Sequence, residues 1–142
     1  MKCYFLRLAF FLLLFSGCAN LRENLTEVPR VVWGSSTKAL EKARPSATAQ
    51  IYQTNPRECF DKILSIAQKE EMKVFIKNRR KELIVLMGIK GSVVTTEVGI
   101  FISQLETTKT KVEIVSLSPQ AQETASHIIF SGLTQAFSET KQ

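Results

Sequence analysis

One histidine, His127, and one aspartate, Asp61, are all that the 142-residue sequence holds of two residue types that dominate metal sites and acid–base chemistry. A zinc site built from several histidines is therefore excluded. A Ser-His-Asp triad would have to use this one pair, and no strained G-x-S-x-G turn is present to carry its serine. Glu97 has no second carboxylate at a spacing that suggests a glycosidase pair. The stretch Gly88 to Gly91 lacks the lysine-serine ending of a phosphate-binding P-loop and reads as a hairpin loop. Nowhere do about 20 apolar residues run together, so no span-length helix is expected. Internal repeats and low-complexity segments are also missing. No metal and no cofactor is expected.

Cysteine is scarce as well: Cys3, Cys18 and Cys59. What is present is ordinary for one globular domain, with 44% hydrophobic and 23% charged residues and a net charge of +6. That excess favours anionic surroundings such as phospholipid headgroups, lipopolysaccharide or acidic polymers.

The first 17 residues form a distinct block. Lys2 and Arg7 supply a positive start, Leu8 to Phe15 is an unbroken apolar run, and Ser16-Gly17 is a small pair before Cys18. That is the three-part layout of a signal peptide, too short and too interrupted by Arg7 for a membrane span. The other readings of the block are an ordinary secretory signal with an incidental cysteine, or an uncleaved anchor. LLFSGC, Leu13 to Cys18, resembles the lipobox of bacterial lipoproteins, with Phe15 standing where leucine is usual. The resemblance implies cleavage after Gly17, a diacylglyceryl thioether on Cys18 and acylation of the new amino terminus. Two or three acyl chains hold a small domain on a bilayer essentially permanently, whereas one chain holds only marginally. Ala19 is not aspartate, which by the same resemblance favours the periplasmic leaflet of the outer membrane over the inner membrane. Cys59 would then be the one remaining thiol, so the mature chain has no intramolecular disulfide. Nucleic acid is not an expected partner of an exported protein.

Residues 18–46 read as the lipidated terminus and a tether, punctuated by Pro29, Gly34 and Pro45. Thr37 to Arg44 is a short helix capped by Ser36, and eight residues must dock or fray. Val31-Val32-Trp33 is unusually apolar for a tether, and either lies against the domain or contacts a membrane or partner.

Residues 47–138 are expected to form the α+β domain, with 139–142 as a tail. The pattern predicts a strand over Ala49 to Thr54 and a helix opening at Asn55-Pro56-Arg57-Glu58, with a capping box. That helix ends near Glu71. Strands follow over Met72 to Lys77, Glu82 to Met87, Val93 to Leu105 and Thr110 to Leu117. In the longest, Val94, Thr96, Val98, Ile100 and Ile102 alternate to one face. Ser118-Pro119 opens the final helix. The order β-α-β-β-β-β-α implies an antiparallel sheet of about five strands with both helices on one face. Phe75, Phe101 and Val115 then fall on the opposite face, which needs a cover. This arrangement, with the TTEVGIFIS strand and the SLSP helix entry, resembles small bacterial envelope lipoproteins. It is similar to the helix-grip-like domains of accessory lipoproteins in the outer-membrane β-barrel assembly machinery. That resemblance implies binding or scaffolding and assigns no catalytic residue.

The sharpest surface feature is Lys77, Arg79, Arg80 and Lys81. It reads either as a solvated turn that blunts a sheet edge or as a contact for anionic lipid, glycan or an acidic protein face. Lys109 and Lys111 would extend it if the two turns share one end of the sheet. The expectation is a lipid-anchored, non-enzymatic envelope protein, with membrane lipid bound through acylated Cys18. The alternatives are a structural lipoprotein that oligomerises through the open sheet face, or an envelope enzyme using His127, Glu97 or Cys59 in one pocket.

Overall fold

Valine or isoleucine recurs in four of five short strands, and such residues fit a pleated, half-buried surface. The strands are β1 (Thr48–Tyr52), β2 (Lys73–Asn78), β3 (Leu83–Met87), β4 (Val98–Glu106) and β5 (Lys109–Ser116). Among the described residues three α-helices accompany them: α1 over 36–43, α2 (Pro56–Lys69) and α3 (Pro119–Glu139). The computed structural model describes residues 36–139, and from Ala39 onward the chain forms one compact unit. The leader, Cys18 and Val31-Val32-Trp33 lie outside the described residues.

The strands form one open sheet in the order β1-β5-β4-β3-β2, with every pairing antiparallel. Strands β2 to β5 are a meander, and α2 carries the chain from one sheet edge at β1 to the other at β2. The fold is α+β, with the expected order of strands and helices after α1 and with α2 and α3 packed on the same face.

Asn55 caps α2 by accepting from the Glu58 amide at 2.9 Å, and Pro56 supplies a first residue with no amide to satisfy. The Glu58 carboxylate accepts from the Thr54 hydroxyl, just before the cap. At the other end the Met72 amide donates to Ala67 O at 2.9 Å and the Glu71 amide to Gln68 O at 3.2 Å. This crossed pair of bonds needs a left-handed residue between them, and Glu71 takes that role at φ 59°. A side chain there is strained, so Glu71→Gly should stabilise the fold by about 1 kcal/mol in urea denaturation. Unchanged stability would mean that the extra freedom of glycine in the unfolded chain cancels the relief.

Alternation along β4 and β5 divides two cores. Val98, Ile100 and Ile102, with Val112 and Ile114, face α2 and α3 and meet Phe60, Ile63, Ile129 and Leu133. On the other face Leu83, Val85, Phe101 and Val115 form a smaller cluster around Leu40 of α1, which is 2% exposed. Gly99 makes this possible, because a Cβ there would lie 3.2 Å from Leu40 Cδ1. The face that the alternation leaves apolar is thus covered, over Leu83, Val85, Phe101 and Val115, by the chain's own residues.

The longest strand begins at Val98, five residues later than the pattern suggests. Residues 94 and 95 form a turn and 93, 96 and 97 are irregular, Val93 and Val94 stand 71% and 72% exposed, and Val94 and Thr96 do not join the strand. Alternation marks what could pair, but a strand also needs a neighbour. Here β3 ends at Met87 before the left-handed Gly88, and β5 ends at Ser116 before the helix entry. Glu97 accordingly precedes β4 instead of sitting within it.

Candidate anionic-contact site

The β2–β3 turn carries Arg79, Arg80 and Lys81, with Lys77 just ahead in β2. Register places the β4–β5 turn beside it. Leu83 pairs with Phe101, the Ile102 amide donates to Glu82 O at 2.9 Å, and β4 continues to Glu106 at that end. Tyr52 pairs with Thr110, so β1 also ends here and α2 starts here. One end of the sheet therefore gathers Lys77, Arg79, Arg80, Lys81, Lys109 and the α2 residue Arg57.

These cations are not equivalent. Arg79 forms an ion pair with Asp61 and lies over the Phe60 ring at 4.7 Å. The hydrogen bond from Arg79 holds the Asp61 carboxyl below its ordinary value of 3.8, against the weaker opposite pull of desolvation. Arg79 is thereby oriented on α2. Lys109 pairs with Glu106 at 2.8 Å and Lys111 with Glu113 at 2.8 Å, so both turns share an end but these two lysines are partly neutralised. Among the described residues Lys77, Arg80 and Lys81 are exposed and enter no ion pair. With Arg57, which is also exposed and in no ion pair, they are the unneutralised cations of this end.

Beside them a cleft of about 280 Å³ is lined by Pro56, Arg57, Phe60, Arg79 and Glu82. Arg57 and Phe60 were not legible as part of a basic surface, because α2 lies far from the turn in sequence. The one available signal was that Arg57 sits in the first turn of a helix.

The titratable groups weighed as catalytic are spread over separate elements. Cys59 of α2 is buried, and burial, with a smaller contribution from Glu58, pushes its thiol up to about 12. At neutral pH it is a thiol and a small apolar group, not a nucleophile. His127 lies on the exposed side of α3, and the groove there is lined by Gln50, Ser126, Phe130, Ser131 and Thr134 among others, but not by Cys59, Glu97 or Asp61. The Glu97 carbonyl accepts from Ser116 Oγ at 2.6 Å. Among the described residues no group of three or more His, Cys, Asp or Glu is placed to hold a metal ion. No helix among them is long and apolar enough to cross a membrane.

Fold and charge together define a small α+β domain with one cationic end. Compared with protein-family models and with curated proteins, the chain matches none of either.

Proposed function

We propose that this chain is a lipid-anchored, non-enzymatic protein of the bacterial envelope, held by acyl chains on Cys18, that binds an anionic envelope component through the cationic sheet end. The observation that carries the contact reading is the set of Lys77, Arg80 and Lys81, exposed and unpaired at one end while Arg79 beside them is held by Asp61. The leader and the LLFSGC segment support the anchor, and the outer membrane is the favoured site. The reading is a binding or scaffolding one, supported by the placement of Cys59 in α2, Glu97 ahead of β4 and His127 in α3, three different segments.

Two measurements test it. Mass spectrometry of the mature amino terminus from a bacterial host should find an acylated Cys18; a chain beginning at Met1 or a free thiol at Cys18 would end the anchoring proposal. For the contact, flotation of the unacylated chain 19–142, whose binding no acyl anchor masks, with phosphatidylglycerol vesicles against zwitterionic ones should show preference for the anionic surface, weakening with salt. Three cations at about 1 kcal/mol each correspond to roughly a hundredfold in partitioning. The triple variant Lys77→Glu, Arg80→Glu, Lys81→Glu should lose at least that factor. Equal flotation of wild type and variant would remove the role of this end.

A further inference from the structure

The two edges of the sheet are built differently. Edge β2 carries Lys73 and Lys77 and a register shift between Val74 and Ile76, which are the usual devices against strand addition. Edge β1 has neither. Its sequence TAQIY holds no charge, its register against β5 is unbroken from Thr48 to Tyr52, and four of its five residues are exposed, Ile51 at 58%. In a chain with 23% charged residues, the whole stretch from Pro45 to Pro56 is without Asp, Glu, Lys or Arg.

The helix flanking this edge matches it. From Thr124 to Ser138, α3 has no Asp, Glu, Lys or Arg. His127, Ser131, Thr134 and Ser138 follow a four-three-four spacing, which puts them on one helix stripe, and all are exposed. They border a groove of about 550 Å³ that also takes in Gln50 of β1 and Ser126. Ser126 is 6% exposed, and its hydroxyl is buried with no hydrogen-bond partner among the described residues.

We infer that β1 is a self-association edge, pairing antiparallel with β1 of a second copy to make a continuous ten-stranded sheet. Charge selects the occupant. Two copies of a chain with net charge +6 repel, and this edge is where they can meet without opposing lysines and arginines. Symmetry is also satisfied, since a two-fold interface places one patch against itself. With full overlap Gln50 faces Gln50 across the axis, and Ala49 faces Ile51. Geometry agrees: α3 packs over β1 and β5, and strands about 4.8 Å apart then separate the two α3 helices by roughly 10 Å, an ordinary helix-packing distance. Small side chains at Ser131, Thr134 and Ser138 allow that approach. The antiparallel pairing sends the two cationic ends in opposite directions, and the inference does not depend on what those ends bind.

The test uses the full chain in mild detergent, and sedimentation should show a mass that rises with concentration towards a dimer. Gln50→Cys should give an oxidant-dependent covalent dimer well above the wild-type background, since facing residues of paired strands lie within disulfide reach. Lys73→Cys on the opposite edge should not. Gln50→Lys, which sets two ammonium groups against each other, should weaken association by about tenfold or more. The Ile51→Lys variant, on the other side of the strand, should weaken it too. A concentration-independent monomer would overturn the inference and leave the edge to a strand of another protein. So would a dimer that ignores both lysine substitutions, or equal cross-linking at positions 50 and 73.

Discussion

Leu40→Ala is expected to lower the stability of the full chain by about 3 kcal/mol, as for other buried leucines that leave a cavity behind. Leu40 is 2% exposed and sits over Gly99 among Val85, Phe101 and Val115. Its removal empties the space that the missing Gly99 side chain opens, and little else in this small second core can collapse into it. Urea denaturation followed by circular dichroism measures the change. A second readout is limited proteolysis, where residues 39–47 should become the first cleaved segment. A loss below about 1 kcal/mol would show that α1 covers the sheet without stabilising it.

Arg44→Ala should cost about 2 kcal/mol at neutral pH, with a cost that shrinks in acid. The Arg44 guanidinium donates to Glu113 Oε2 from Nε at 3.0 Å, to Ser103 Oγ at 3.1 Å, and lies 4.8 Å from the Phe101 ring centroid. Glu113 is 8% exposed. Burial alone would raise its pKa, but hydrogen bonds from Lys111 and Arg44 more than offset this and hold it below the ordinary value of 4.5. A depressed carboxyl stabilises the fold above its unfolded value, so the contribution is full above 4.5 and is lost as pH falls through the lower folded value. Wild type and variant should therefore converge in urea midpoint as pH drops from 7 towards about 3. A gap independent of pH would mean that Arg44 acts through packing on Phe101 alone. Arg44 is partly solvated, with 39% of its side chain exposed, which keeps the expected loss well under that of a fully buried pair.

Much of the architecture was legible. Asn55-Pro56 and Ser118-Pro119 place helix starts because proline needs no amide partner and the preceding side chain satisfies another. The alternation of Val98, Ile100 and Ile102 assigns one face of β4, and Phe101 and Val115 demand a cover on the other. Residues 93–97 misled the pattern, since valine and threonine signal strand whether or not a partner strand reaches them. Of the candidate site, the basic turn Lys77 to Lys81 is plain in the sequence, whereas the shared end of the two turns follows only from strand order. Arg57 and Phe60 were hidden because only α2 crossing the sheet brings them beside Arg79.

Local chemistry was enough to determine the α+β class, the helix caps, the two-faced strands and the basic turn. These depend on neighbours a few residues apart. Tertiary structure alone decided that Leu40 fills the gap at Gly99, that Asp61 holds Arg79 while Lys77, Arg80 and Lys81 stay free, and that β1 is the uncharged edge. Those outcomes depend on strand order and on which distant segments meet, and periodicity carries no record of either.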